Sequence, residues 1–225
     1  MLNKDFDIFD SVKSEAIKDL APELLETSLD MISKSEIVKD IPIFGIGFKT
    51  YSLYQNVTES FFVKKILRFL FELKGIPSKE REEFIKKLES KKESNKAGEK
   101  ILIVLNKLND IEKAEIVGKL FKNTIRGKLT FEDFNRLIHI IDNTYIEDLK
   151  SLKNNLNLNY IDFSIKSNLH VLGLLDQSIS DLEKQHKALK RIKISKTDSL
   201  QLPKPKFEYR LNNYCKLLIK FGFED

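Results

Sequence analysis

Tryptophan is absent from this chain of 225 residues, cysteine occurs once, and only 8 glycines and 5 prolines punctuate it. Each scarcity excludes something. The lone Cys215, set in the run Tyr214-Cys215-Lys216-Leu217-Leu218, rules out an intramolecular disulfide and a cysteine-based zinc site. So few chain breakers leave room for long helices. No stretch offers the roughly 20 uninterrupted apolar residues of a membrane-spanning helix. The segment Met1 to Asp7 is acidic and lacks the basic-then-apolar order of a secretory signal. These features together predict a cytoplasmic protein.

What is present is a charge-rich globular composition, with 41% apolar and 32% charged residues. That is enough for one large domain or two small ones. The net charge of +5 is unevenly placed: residues 1–60 hold 6 basic and 11 acidic residues, residues 61–154 hold 21 and 15, and residues 155–225 hold 12 and 8. The sharpest block runs from Lys184 to Lys206, with eight basic residues against Asp198 alone, and points to an anionic partner.

Hydrophobic periodicity predicts helices along most of the chain. Ile17, Leu20, Leu24, Leu25, Leu29 and Ile32 outline one over 15–36. Another spans about 60–74, closed by Gly75-Ile76-Pro77, and Ser78 caps the next, to about Ser90. The run Ile101 to Leu105 reads as helix because no turn and partner strand follow. Residues 110–126 form a helix ending at Gly127. Thr130, with Asp133 three residues on, then caps a long helix to about Lys153, with Tyr145 among its inward residues. Asn154 to Asn159 is a boundary. Beyond it the pattern gives a helix over 161–176 and a basic helix to about Lys190. A hairpin of 192–194 with 207–211 follows, and then a last helix capped by Asn212 or Asn213. The fold class is therefore mainly α: a helical bundle over 1–153 followed by a small helical, winged-helix-like module over 154–225.

No catalytic motif emerges. Gly45-Ile46-Gly47-Phe48-Lys49-Thr50 is not a phosphate loop, since Phe48 separates Gly47 from Lys49. The favoured reading is that Gly45 and Gly47 let a core element pack closely. The alternative is membrane or partner contact by the uncharged segment holding Ile43, Phe44, Gly45, Gly47 and Phe48. The neighbouring helix, with its polar strip of Lys64, Lys65, Arg68 and Glu72, would assist it. Histidines 139, 170 and 186 have no ligand spacing; His139 and His170 read as packed helix residues, and neither a metal nor a cofactor is expected. Asp133, Asp142, Glu147 and Asp148 read as the wet face of a helix. In the basic block, Lys187, Lys190, Arg191, Lys193, Lys196, Lys204 and Lys206 are the candidates for nucleic-acid backbone contact.

Two segments carry a resemblance. Ile37 to Gly45, followed by Phe62-Val63-Lys64-Lys65-Ile66 and Leu120-Phe121, is similar to a recurring set of uncharacterised bacterial helical proteins. The tail from Leu172-Gly173-Leu174-Leu175 through Tyr209-Arg210-Leu211-Asn212 to Leu217-Leu218 resembles the C-terminal part of abortive-infection-alpha-type proteins. It departs from their pattern at Asn212 and Cys215. The resemblance carries no catalytic motif and implies a phage-defence or mobile-element context. The expectation is thus a non-enzymatic interaction or effector protein, cytoplasmic or peripheral at the inner membrane. Its partner would be another protein, a second copy or a membrane surface reached by residues 37–74 on release. The alternative is nucleic acid bound through the C-terminal module. No small-molecule substrate is inferred from the sequence.

Overall fold

The computed structural model describes residues 7–45, 57–90, 94–179 and 207–223, and within them the chain is mainly helical with one two-stranded sheet. Helix α1 (Ile8–Lys13) starts where the Asp7 carboxylate accepts the Phe9 N–H at 2.9 Å. The single helix expected over 15–36 is instead broken into a 3-10 turn (Glu15–Asp19), α2 (Glu23–Glu26) and α3 (Leu29–Lys34), with α4 (Glu36–Lys39) after them. Serine hydroxyls account for the breaks. Ser14 accepts from Ala16 N and Ser28 from Met31 N, offering the backbone partners outside a continuous helical ladder. Pro22 has no N–H to give. The apolar periodicity is kept in part, since Ile17, Leu20 and Ile32 are all buried.

The body of the fold is built from α5 (Val57–Phe71), α6 (Ser78–Ser90), α7 (Ser94–Lys107), α8 (Ile111–Ile125) and α9 (Phe131–Asn143). Helices α5 and α8 lie against each other at the core, and Gly118 of α8 allows the close approach. One helical turn further along α8, Phe121 is the hub of an aromatic cluster. Its ring lies 6.3 Å from Phe9, 5.5 Å from Phe69, 5.7 Å from Phe84 and 5.2 Å from Phe134. Such pairs add about 0.5–1.5 kcal/mol each beyond the area they bury.

Among the described residues, three cations sit inside this body, and the hydrogen bonds they make go to backbone carbonyls. Lys65 donates to the Asn106 and Leu108 oxygens, at the end of α7. Lys113 reaches the Asp142 oxygen at the end of α9. Arg81 donates to Leu73, Ile76 and Ser14. Burial lowers the pKa of all three. The last carbonyls of a helix lack intrahelical donors and carry the negative end of its dipole, so a buried ammonium there satisfies both needs.

The ends of α8 and α9 follow the sequence signals. Asp110 caps α8, Gly127 turns the chain at φ +71°, and Thr130 accepts the Asp133 N–H at 3.0 Å. The helix expected to reach Lys153 breaks, however, and α10 (Ile146–Asn154) is a separate element. Asn143 and Thr144 donate their side-chain hydrogens to the carbonyls of His139 and Ile140, satisfying the last turn of α9 locally. Tyr145, expected inward, is 61% exposed as a result.

Beyond a short 3-10 turn at Leu158–Tyr160, helix α11 (Phe163–Val171) ends at Gly173, whose φ of +85° suits the residue after a helix. Strand β1 (Leu175–Ile179) follows where the sequence suggested helix, and β2 (Phe207–Leu211) lies where a strand was expected. The partner of β2 is β1, antiparallel, with Leu175 opposite Leu211 and Ile179 opposite Phe207. The expected partner, 192–194, and the basic helix to Lys190 lie outside the described residues. The chain then enters α12 (Asn213–Leu218) and a π-helical turn, Ile219–Phe223, laid along α8. One set of buried side chains runs from Ile8 to Leu218, through both the 1–153 and the 154–225 segments.

Candidate functional site

Of the segment whose alternative reading is membrane or partner contact, Ile43 is 6% and Phe44 1% exposed, and the Ile43 N–H donates to the buried Ser11 hydroxyl at 2.9 Å. Gly45 closes a helical turn on the Ile41 carbonyl, and a Cβ on it would stand 2.5 Å from the Lys39 carbonyl oxygen. The favoured reading of Gly45 as a close-packing glycine agrees with this contact. Gly47 and Phe48 lie outside the described residues. The polar strip of α5 is partly covered rather than open to solvent: Lys65 is 4% exposed, and Lys64 and the Arg68 that pairs with Glu115 are half-buried. All seven candidates for nucleic-acid contact, from Lys187 to Lys206, fall outside the described residues.

The other single-residue candidates resolve simply. Cys215 is fully buried and its thiol is pushed up to about 12 by burial, so it is held as the unreactive thiol at neutral pH. His139, expected to be packed, is exposed beside Asn143. His170 is half-buried, with Nδ1 2.8 Å from the Leu175 carbonyl and its ring edge-on to Tyr209. Among the described residues no group of three or more histidine, cysteine or acidic side chains could hold a metal. None of the helices described is long and apolar enough to cross a membrane.

Two surfaces, neither visible as a motif, stand out. The first is aromatic. Phe163, at the start of α11, lies 6.4 Å from Phe207 and 6.0 Å from Tyr209 on β2, ring centre to ring centre. The Tyr209 hydroxyl accepts from Gln177 on the paired strand at 2.7 Å, which fixes the ring. Of ten large apolar side chains exposed in the described residues, six lie between Leu156 and Phe207, with Tyr160 and Val171 each 80% exposed. The alternation of Phe207, Tyr209 and Leu211 was the available signal, since every second residue of a strand shares a face.

The second surface is charged. Along α8, Glu115 pairs with Arg68 and, at 3.3 Å, with Lys119. Burial would push the Glu115 carboxyl up, but the hydrogen bonds and charges of Arg68 and Lys119 outweigh it and hold it below the usual range. Its neighbour Glu72 is raised instead, by burial and by the charge of Glu115. Lys119 and Lys122 of α8, Arg126 and Lys128 of the turn after it and Lys220 of the C-terminal segment surround a cavity of about 160 Å³, with Asn123 and Phe221. Asn123 builds this wall by donating to the Lys119 and Phe221 carbonyls, at 3.0 and 3.2 Å. A second cavity, of about 260 Å³, lies on the other side of Lys119, toward Lys150, Lys153 and Phe223.

No protein-family model, curated protein or solved structure matches this chain.

Proposed function

We propose that the chain is a non-enzymatic interaction protein that recognises another protein through the aromatic face of its C-terminal helix-and-strand unit. The observation that carries this reading is the cluster in which exposed Phe163 and Phe207 meet around the half-buried ring of Tyr209, in a segment where Tyr160 and Val171 are also exposed. Aromatic side chains held rigid on a surface are the usual anchors of protein interfaces, and contiguous apolar patches on soluble proteins mark binding sites. The antiparallel pairing of β1 with β2 supports reading residues 154–225 as a winged-helix-like docking module. The resemblance of the tail to abortive-infection-alpha-type proteins supports a setting in phage defence.

Energetics favour this face over residues 37–74. Exposing Val38, Ile41, Ile43 and Phe44 forfeits about 1.5–3 kcal/mol each, comparable in sum to the whole stability of a domain, about 5–15 kcal/mol. Releasing α5, with Val63, Ile66, Leu67, Phe69 and Leu70 buried, would dismantle the core. A photo-crosslinker placed at Phe163 or Val171 in bacteria carrying the gene tests the proposal. An adduct of one discrete mass from both positions, absent from Lys34 on α3, is expected. The Phe163→Ser, Phe207→Ser double variant should lose that adduct and any protection against phage. Adducts that are equal at Lys34, or protection unchanged in a folded double variant, would refute it.

A further inference from the structure

From the charged cavity at the end of α8 we infer a second site, one that binds the phosphate chain of a small phosphorylated ligand. Its cations come from two distant parts of the chain and meet on one concave wall: Lys119 and Lys122 from α8 with Arg126 and Lys128 from the turn that ends it, and Lys220 from the C-terminal segment. No carboxylate is among the described residues that line it.

Structural needs do not account for so much charge. The C-terminus of α8 attracts cations, but its dipole amounts to only about half an elementary charge and acts within the last turn. The nearby carboxylates among the described residues are Glu72 and Glu115; Arg68 and Lys119 face both, and Lys122 also faces Glu72. Counting Arg68 with the cavity, six cations stand against two carboxylates. Adding Glu224 and Asp225, which follow Phe223 in the sequence, would still leave an excess of two. Like charges brought together on a wall repel one another, and a bound oxyanion relieves that repulsion.

The wall is also built rather than incidental. Gly127 takes a positive φ that returns the chain over α8, and the Lys128 N–H donates to the Asn123 carbonyl at 2.9 Å. The Asn123 side chain holds Phe221, and with it Lys220, against the same helix. Arg126 is steadied by the Gly75 carbonyl at 3.3 Å, which leaves most of its five donors for a ligand. The volume decides the class of ligand. At about 160 Å³ the cavity lies below the roughly 300–1,000 Å³ of sites that engulf a whole drug-sized molecule. It suits a charged head group, with the body of the ligand outside, and it is concave where a duplex backbone would need an extended surface.

Calorimetry of the full chain with inorganic triphosphate, ATP and a short DNA duplex tests this. Triphosphate should bind and should weaken as salt rises from about 0.05 to about 0.5 M. The Lys122→Ala, Arg126→Ala double variant should bind it at least about a hundredfold more weakly, each charge-assisted hydrogen bond being worth about ten- to a hundredfold. The variant Lys34→Glu, altered on α3, should bind as the parent does and so separates the site from general charge. Equal affinity for triphosphate and ATP assigns the site to the phosphate chain alone, and tighter ATP binding assigns it to a nucleotide; either supports the proposal. Absence of triphosphate binding, binding unchanged in a folded double variant, or tight binding of the duplex alone would overturn it. Circular dichroism of each variant checks that the fold is intact.

Discussion

A Cβ added to Gly118 would stand 2.9 Å from both Cβ and Cγ of Glu72, and equally close to the Phe69 carbonyl oxygen. Alanine at this helical position gains about 1 kcal/mol of intrinsic propensity, while overpacking costs about 1–3 kcal/mol. Backbone oxygen cannot swing aside, so the clash wins. Gly118→Ala should lower Tm by roughly 2–8 °C in a thermal melt. Gly75→Ala, where nothing lies within 4 Å of the new atom, should leave Tm within about 1 °C.

Lys65 gives a pH signature. Burial lowers its folded-state pKa below the ordinary 10.5 that it has in the unfolded chain. Between those two values the unfolded chain holds more protons, so this residue's contribution to stability rises with pH and is complete above 10.5. Lys65→Met lacks that gain and also strips the donor from two carbonyls, a loss of about 1–3 kcal/mol at neutral pH. Urea melts should show the deficit of the variant widening as pH approaches 10.5. A deficit that shrinks with pH would contradict the assignment.

Asn212 works in two directions. Its oxygen accepts from Cys215 N at 3.0 Å, capping α12, and its amide donates to the Gly173 carbonyl at 2.7 Å, joining the helix to the end of α11. Asn212→Ala should cost about 1–2 kcal/mol in denaturant unfolding. Asn212→Asp keeps the cap but places a carboxylate against a carbonyl, so it should recover only part of the loss.

Cys215 reports on the integrity of the same region. With the thiol buried and pushed up to about 12, labelling by Ellman's reagent at neutral pH should be slow in the folded chain and immediate in denaturant. Gly222→Ala, which would place a Cβ 2.9 Å from Ile116 Cγ2 and 3.0 Å from Leu218 Cδ1, should speed the labelling.

The helical character of the chain was legible wherever one periodic face met one core, as in α8, and wherever a cap used a single side chain, as at Thr130 and Asn212. It was not legible where local polar groups compete with the helical ladder. Ser28 starts one helix and Thr144 ends another within apolar spacings that run on across them. The partner of β2 was unreadable for another reason. Strand pairing depends on tertiary proximity, and Leu175 to Ile179 carries only weak alternation.

The two surfaces were hidden because each is assembled from distant segments. Phe163 and Phe207 look unremarkable singly, and so do Lys122 and Lys220 in a lysine-rich chain. Neighbours on one α8 face, such as Lys119 and Lys122, could be read from helical spacing, but Lys220 joins them only through the fold. Conversely, Lys65 looked like a surface cation because sequence does not show the carbonyls that receive it.

The pairing of β1 with β2 has a kinetic consequence. The hydrogen bond from Gln177 to Tyr209 joins residues 32 apart in sequence, and closing a loop of that size costs roughly 3 kcal/mol of chain entropy before any contact compensates. Two strands alone are marginal in water, so the sheet forms only after α11 and α12 supply surfaces to receive it. In folding, the aromatic face is therefore completed late. In the native state it opens ahead of α8, and its amides should exchange with solvent through partial unfolding while the bundle stays closed.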